Sequence, residues 1–147
     1  MPALPTGHHS AGEPGSASPI ESVDAPLPRR TASVDGFLVL DLHNLWCQMC
    51  NFGLTAEELL ATLPLHRLQS IHVSGGSWAH AAGRRIRRDT HDDAVPEAVL
   101  TLLKAALRRR PGPCDVIVER LGSTISDRNC LRVDLDRARS VVEACDG

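Results

Sequence analysis

Short apolar runs that alternate with amphipathic segments set the strongest limit on how this chain can fold. The run GFLVLD at residues 36–41 is continuous and apolar, as in a parallel strand buried on both faces, and residues 68–74 and 114–119 are weaker examples. Segments with helical spacing follow each of these runs. The order βα, βα, βα predicts an α/β fold with a parallel sheet and right-handed crossovers.

Local signals mark three of the helices. Thr55 and Glu58 have the spacing of a capping box for a short helix. Pro96 suits the first position of a second helix, which should end at the basic residues 108–110. Apolar residues that repeat on one side predict a third helix at about residues 133–144.

The first 35 residues differ in composition from the rest of the chain. Residues 1–35 are rich in proline, glycine, serine and alanine, so they have little apolar surface to offset the entropy of ordering. We therefore expect a disordered segment at 1–35 and one domain at 36–147. The chain has neither the pattern of a secretory signal peptide nor an apolar stretch of about 20 residues. A cytoplasmic protein without a membrane partner is expected.

Cysteine usage and net charge narrow the function classes. The five cysteines are odd in number and scattered, so a disulfide framework is not expected. The motif WCQMC has a C-x-x-C spacing, but no second pair follows it, so it is a weak indication of zinc or redox chemistry. The net charge of −2 gives no reason to expect a nucleic-acid partner.

Polar side chains occur where each predicted strand ends. Those at or just beyond the three strand ends are Asp41, His43, Asn44, His72 and Glu119. Asp89 and His91 lie in the long connection after the second strand and should project from the same edge, where parallel α/β folds build their active sites. A mixture of carboxylate, amide and imidazole groups suits iron, manganese or zinc.

Several of these residues also have a purely structural interpretation. Asp41 could start a turn, and His43 and Asn44 could cap the next segment. Asp92 and Asp93 lie just before the predicted second helix, where carboxylates interact favourably with the helix dipole. We expect these two to organise the loop and the helix start rather than to bind an ion.

Four motifs, LDLHNLW, LPLHRLQSIHVSGG, DTHDDAVPEAV and VIVERLG, occur in an order that resembles the C-terminal half of the multinuclear non-haem iron-dependent oxidases (MNIO). This family includes the methanobactin-biosynthesis oxidase, and the similarity runs from about Gly36 to Ala144. The resemblance implies a partial (β/α)₈ TIM barrel of about three βα units. It also implies two or three iron ions, and dioxygen used to modify residues, often cysteines, in ribosomally made precursor peptides. A peptide-binding partner protein is usual in the family.

The resemblance also implies which residues bind iron. The implied ligands are His72, Asp89, His91 and Glu119, with Asp41 and Asn44 matching the strand-end motif and His43 standing where many members have asparagine. Family members are about twice this long, which implies a missing barrel half as a further partner. The expected activity is that of an iron-dependent oxidoreductase. The alternatives are a truncated, non-catalytic metal-binding or interaction fragment of the fold, and a sugar-isomerase-like metal-dependent barrel.

Overall fold

A computed structural model describes residues 36–122 and 124–146 of the chain, which form a mixed α/β structure. The strands are β1 (Leu38–Asp41), β2 (Leu68–Val73), β3 (Trp78–Ala81), β4 (Arg84–Arg87) and β5 (Asp115–Val118). The helices are α1 (Leu42–Phe52), α2 (Ala56–Thr62), α3 (Glu97–Arg109) and α4 (Ile125–Asp146), and a 3₁₀ turn (Leu65–Arg67) precedes β2. The disorder expected for residues 1–35 lies outside the described residues.

The main sheet is parallel and has three strands in the order β1-β2-β5. Its register places Asp41 opposite His72, and His72 opposite Ile117. The connections between these strands contain the helices α1, α2 and α3. The predicted α/β class is therefore confirmed, and the arrangement is compatible with part of a barrel.

The two faces of this sheet have different surroundings. Leu40 and Ile71 share one face and are buried in the hydrophobic core with side chains of α1 and α3. On the other face, Val39 is 46% exposed and Ile117 is 43% exposed. Because neighbouring residues of a strand point to opposite faces, His72 projects on the same side as these two exposed residues. The polar strand ends therefore lie on the open face.

Helix α1 begins directly after β1 and was not predicted from the sequence. Its N-cap is Asp41, whose Oδ1 accepts a hydrogen bond from the backbone N–H of Asn44 at 2.8 Å. The capping function suggested for His43 and Asn44 thus belongs to Asp41. Gly53 ends the helix in the left-handed conformation, with φ of 71°.

The other helix ends follow local chemistry. The capping box of α2 is confirmed, since Glu58 N donates to Thr55 Oγ1 at 3.2 Å and Thr55 N donates to Glu58 Oε2 at 2.8 Å. Pro96 is the N-cap of α3 rather than its first residue, so the helix begins at Glu97, one residue later than predicted. Helix α4 is longer than the predicted 133–144, because Thr124 and Asp127 form a similar reciprocal pair of hydrogen bonds at its start.

The long connection between β2 and α3 contains an antiparallel hairpin, β3–β4, that the sequence pattern did not predict. Trp78 pairs with Arg87, and Ala82 and Gly83 form the turn with φ of 49° and 73°. Asn51 of α1 binds both backbone groups of Arg87, donating to its C=O at 2.9 Å and accepting from its N–H at 2.8 Å. The hairpin is thereby fixed against α1.

The hydrophobic core lies between the main sheet and the helices. Its fully buried members include Leu42, Leu60, Leu68 and Leu103, and Ala138 of α4 is also buried in it. Across the described residues, no helix has both the length and the apolar character that a membrane span requires.

Candidate metal centre

Asp41 caps helix α1 with one carboxylate oxygen and faces the polar cluster at the strand ends with the other. Its Oδ1 caps α1, while its Oδ2 lies 3.8 Å from Nε2 of His91. Because the cap holds one oxygen, the carboxylate is oriented with its second oxygen toward the polar cluster. The side chain is 27% exposed, so this oxygen remains accessible to an ion from solvent.

Asp89 is the centre of the hydrogen-bond network. Its Oδ1 accepts from His43 Nδ1 at 2.7 Å and lies 3.1 Å from His91 Nε2, while Asn44 Nδ2 donates to its Oδ2 at 3.3 Å. Partial burial acts to raise the pKa of Asp89, but the hydrogen bonds from His43 and Asn44 and the charge of His91 outweigh it and lower the pKa below its ordinary value. Asp89 is therefore a carboxylate at neutral pH.

His91 occupies a constrained backbone position. Its φ is 55°, in the left-handed region that non-glycine residues seldom adopt, at a cost of about 1–3 kcal/mol. Leu121 N donates to the His91 carbonyl at 2.6 Å, which ties the loop to the end of β5. This conformation places the His91 ring between carboxylates, with Nδ1 3.2 Å from Glu119 Oε2 and Nε2 3.1 Å from Asp89 Oδ1.

Glu119 links the ends of β2 and β5. Its backbone N–H donates to the Val73 carbonyl at 2.9 Å, which extends the pairing of β2 and β5 by one residue. Its Oε1 lies 2.8 Å from Nδ1 of His72. Glu119 thus contacts His72 with one oxygen and His91 with the other.

The structure brings the six sequence-predicted ligands into one connected cluster at the carboxyl ends of the parallel strands. Its members are Asp41, Asn44, His72, Asp89, His91 and Glu119. Within it, Asp41, His91 and Glu119 each offer one donor atom, and these three atoms lie within 4.8 Å of one another. Two carboxylates and an imidazole are a donor set that fits iron, manganese or zinc.

His43 has a structural role that the sequence reasoning did not identify. Its ring is fully buried, with Nδ1 bonded to Asp89 and Nε2 3.3 Å from Nε and 3.2 Å from Nη2 of Arg87. Arg87 has only donors, so Nε2 must accept and Nδ1 must carry the proton. Gly76 leaves space for the ring, since a Cβ there would lie 2.6 Å from His43 Cε1.

A signal for this buried position was present in the sequence. Read as a helix, residues 42–52 place Trp46 and Cys47 three and four positions after His43, on the same face. The structure confirms this grouping, since His43 contacts Trp46 with ring centroids 5.8 Å apart, and the guanidinium of Arg87 lies 4.4 Å from the Trp46 ring. The network therefore runs from Asp89 through His43 to a cation–π contact.

The remaining polar candidates lie outside the cluster. Asp92 accepts from Thr90 Oγ1 at 2.5 Å and Asp93 accepts from Ala94 N at 2.8 Å, as expected for residues that organise the loop. In the C-x-x-C motif, burial, with the negative charge of Asp89 as a smaller contribution, raises the pKa of Cys47 to about 11. A thiol with this pKa is protonated at neutral pH, so Cys47 is not an activated nucleophile there.

A comparison with protein-family models identifies the family to which this chain belongs. The family model of the RiPP precursor modification enzymes MbnB/TglH/ChrH matches residues 29–143. The chain belongs to this family. The resemblance to the multinuclear iron-dependent oxidases is thereby confirmed, and the MbnB/TglH/ChrH family is associated with modification of RiPP precursor peptides.

Relatives within the MbnB/TglH/ChrH family include UPF0276 proteins, whose names state no activity. One from Caulobacter vibrioides is 36% identical over 114 residues, which cover 78% of this chain and 39% of the relative. Another from Bordetella bronchiseptica is 36% identical over 109 residues, covering 74% and 36%. One from Rhizorhabdus wittichii is 37% identical over 83 residues, covering 56% and 28%. The chain thus spans less than two fifths of these relatives.

Proposed function

We propose that this chain forms the C-terminal part of an iron-dependent oxidase that uses dioxygen to modify a residue, often cysteine, of a ribosomally made precursor peptide. The observation that carries the proposal is the cluster at the strand ends, with donor atoms of Asp41, His91 and Glu119 within 4.8 Å of one another. Family membership supports a precursor peptide as substrate. The fold of the complete enzyme would be a (β/α)₈ barrel.

The residues present fit the metal that the family implies. Asp41, His91 and Glu119 would hold one ion, since oxygen and imidazole nitrogen ligands suit iron. Asp89 and His72 contact this group and would contribute to the same ion or to a neighbouring one. Iron, when bound, supplies the redox chemistry with dioxygen that amino-acid side chains lack.

The residues of the chain itself keep the cluster ready for a cation. The hydrogen bonds of His43 and Asn44 lower the pKa of Asp89, so its negative charge is present before any ion arrives. The N-cap of α1 orients Asp41, and the left-handed backbone orients His91. Ligands that are held in place before binding lose less conformational entropy when they bind an ion.

His72 and Glu119 can also transfer a proton. Their side chains meet at 2.8 Å and are 24% and 33% exposed, so a substrate group can reach them from solvent. Because Nδ1 of His72 and Oε1 of Glu119 already share a proton, a proton that a substrate thiol gives up on binding would go to Nε2 of His72 when that atom holds no ion. We therefore propose that His72 and Glu119 lie on the substrate-facing side of the cluster.

The open face of the sheet supports the assignment to a barrel. Val39 and Ile117 are 46% and 43% exposed there, on the face from which Asp41 and His72 project. In a closed barrel this face would be interior, and apolar side chains on it would be covered by the opposite strands. A complete site accordingly needs barrel strands beyond the three that the described residues form.

Metal analysis tests the assignment of the ligands. The full chain, purified without oxygen and supplied with iron(II), is expected to bind iron, and His91→Ala and Glu119→Gln should reduce the bound iron strongly. His66→Ala is the matched control, because His66 is exposed and lies outside the cluster. Equal iron content in all three variants would contradict the ligand assignment.

A turnover assay separates the oxidase from the second candidate, a metal-binding fragment without catalysis. The full chain would be incubated with iron, reductant, air and a cysteine-containing precursor peptide, and the peptide mass measured. We expect a defined oxidative mass change only when a polypeptide that carries the remaining barrel strands is added. No change in that mixture would favour the non-catalytic fragment.

A further inference from the structure

The β3–β4 hairpin and the residue after it form a positively charged surface beside the metal centre. We name residues 78–88 the basic hairpin, because they include four arginines and no acidic residue. Arg84, Arg85 and Arg88 are exposed, and no carboxylate within the described residues forms an ion pair with any of them. The surface therefore carries positive charge that is available to a partner.

One arginine of the basic hairpin is held in a geometry suited to binding carboxylates. The guanidinium of Arg85 lies over the ring of Trp78, 4.2 Å from its centroid, and Trp78 is itself 40% exposed. A guanidinium stacked on an indole keeps its N–H edge free, and that edge can bind a carboxylate with two parallel hydrogen bonds. Trp78 thus preorganises Arg85 for an anionic partner.

The basic hairpin also has an open strand edge. Arg88 N donates to Ser77 O at 2.9 Å, so by the antiparallel register the backbone groups of Trp78 and His80 point away from β4. In the described part of the chain, no hydrogen-bond partner occupies these outward groups. Such an edge accepts an extended peptide as an additional strand.

The position of the basic hairpin connects it to the metal centre. Its second strand continues directly into Asp89 and His91, and Ser77 N donates to Thr90 Oγ1 at 3.0 Å across its base. A peptide on the β3 edge would therefore lie beside the cluster. The carboxylates of that cluster repel acidic residues, so an acidic segment would stay on the hairpin while an uncharged or metal-binding residue enters the centre.

We propose that the basic hairpin binds an extended, acidic segment of the precursor peptide, adding it as a strand to the edge of β3 with its carboxylates on Arg85 and Arg88. The identity of the peptide as a substrate rests on the proposed function. The binding itself does not, because it needs no metal. The hairpin would select the peptide and set which residue reaches the metal centre.

Fluorescence anisotropy tests this proposal with the full chain and a short fluorescein-labelled peptide of glutamate pairs separated by threonine. The glutamates are paired because Arg85 and Arg88 lie on opposite faces of the hairpin, so an extended peptide needs carboxylates on both of its faces. The comparison peptide has glutamine in place of glutamate. We expect the acidic peptide to bind, and the double variant Arg85→Gln/Arg88→Gln to weaken binding by roughly tenfold or more, as expected for the loss of charge-assisted hydrogen bonds. The control, Arg108→Gln/Arg132→Gln, makes the same change in net charge at exposed positions elsewhere.

Two more variants separate the parts of the proposal. His80→Pro removes an outward N–H without touching a bond between β3 and β4, so it should weaken peptide binding while circular dichroism shows an unchanged fold. His91→Ala should leave binding intact, which keeps this test independent of the metal centre.

Four results would overturn the proposal. The first is equal binding of the acidic and glutamine peptides, and the second is equal loss in the two double arginine variants. The third is tighter binding of a single-stranded oligonucleotide of the same charge, which would assign the surface to nucleic acid. An unchanged affinity in His80→Pro would refute strand addition.

Discussion

Replacing His43 with alanine should destabilise the protein more than any other single histidine change in the described part of the chain. The ring is fully buried, accepts from Arg87 at 3.3 and 3.2 Å, and donates to Asp89 at 2.7 Å. Its loss leaves the guanidinium of Arg87, a residue only 6% exposed, without an acceptor side chain. The contact with Trp46, at 4.4 Å from its ring, remains.

The size of the stability loss in His43→Ala follows from these contacts. Removing one partner of a buried charged group costs about 3–5 kcal/mol, because the other partner stays desolvated and unpaired. The cation–π contact of Arg87 and water entering the space of the lost ring offset part of this cost. We expect His43→Ala to lower the free energy of unfolding by about 3 kcal/mol, and His80→Ala, an exposed change, by less than about 0.5 kcal/mol.

Urea unfolding followed by tryptophan fluorescence and circular dichroism measures these differences. A double-mutant cycle with Arg87→Met identifies their origin, since methionine retains part of the side-chain packing but has no buried charge. If an unpaired guanidinium causes the loss, His43→Ala should cost much less in the Arg87→Met background. A loss below about 1 kcal/mol in the single variant, or additive losses in the cycle, would refute the reasoning.

Two other changes test the loop that carries Asp89 and His91 of the candidate metal centre. Asp89 has a lowered pKa in the folded state, so its contribution to stability is present above the ordinary value of 3.8 and is lost as pH falls through the lowered pKa. Asp89→Asn should therefore reduce stability at pH 7 by an amount that shrinks in acid, and a constant difference across a series of urea unfolding curves would contradict this. Gly75→Ala would place a Cβ 2.1 Å from the Ala94 carbonyl oxygen, so it should lower the melting temperature well below that of Gly83→Ala, which has open space but a φ of 73°. Similar melting temperatures for the two glycine variants would show that the Ala94 loop moves aside without cost.

The sequence by itself determined the features that depend on local spacing. The three apolar runs became β1, β2 and β5, and the capping box at the start of α2 formed both expected hydrogen bonds. The strand ends marked the edge at which Asp41, His72 and Glu119 meet. These predictions succeeded because chain periodicity and capping involve residues only a few positions apart.

Local sequence patterns did not predict elements that are stabilised by contacts with residues distant in the chain. Helix α1 follows β1 without a loop, so an apolar pattern at residues 36–42 did not separate the strand from the helix. The β3–β4 hairpin carries few apolar residues, and it is stabilised through Asn51, which lies 36 positions before Arg87. A pattern read along one segment contains no information on such a partner.

The arrangement of the candidate metal centre was decided only by the tertiary structure. Resemblance to the family suggested which residues bind metal, but the distances among them depend on the register of β1 with β2, on the left-handed backbone of His91, and on its contact with Glu119. The burial of His43 needed the long-range partners Asp89 and Arg87, 46 and 44 positions away. Polar side chains exchange water for one another only after the core has packed, so their partners are selected by the folded structure rather than by spacing along the chain.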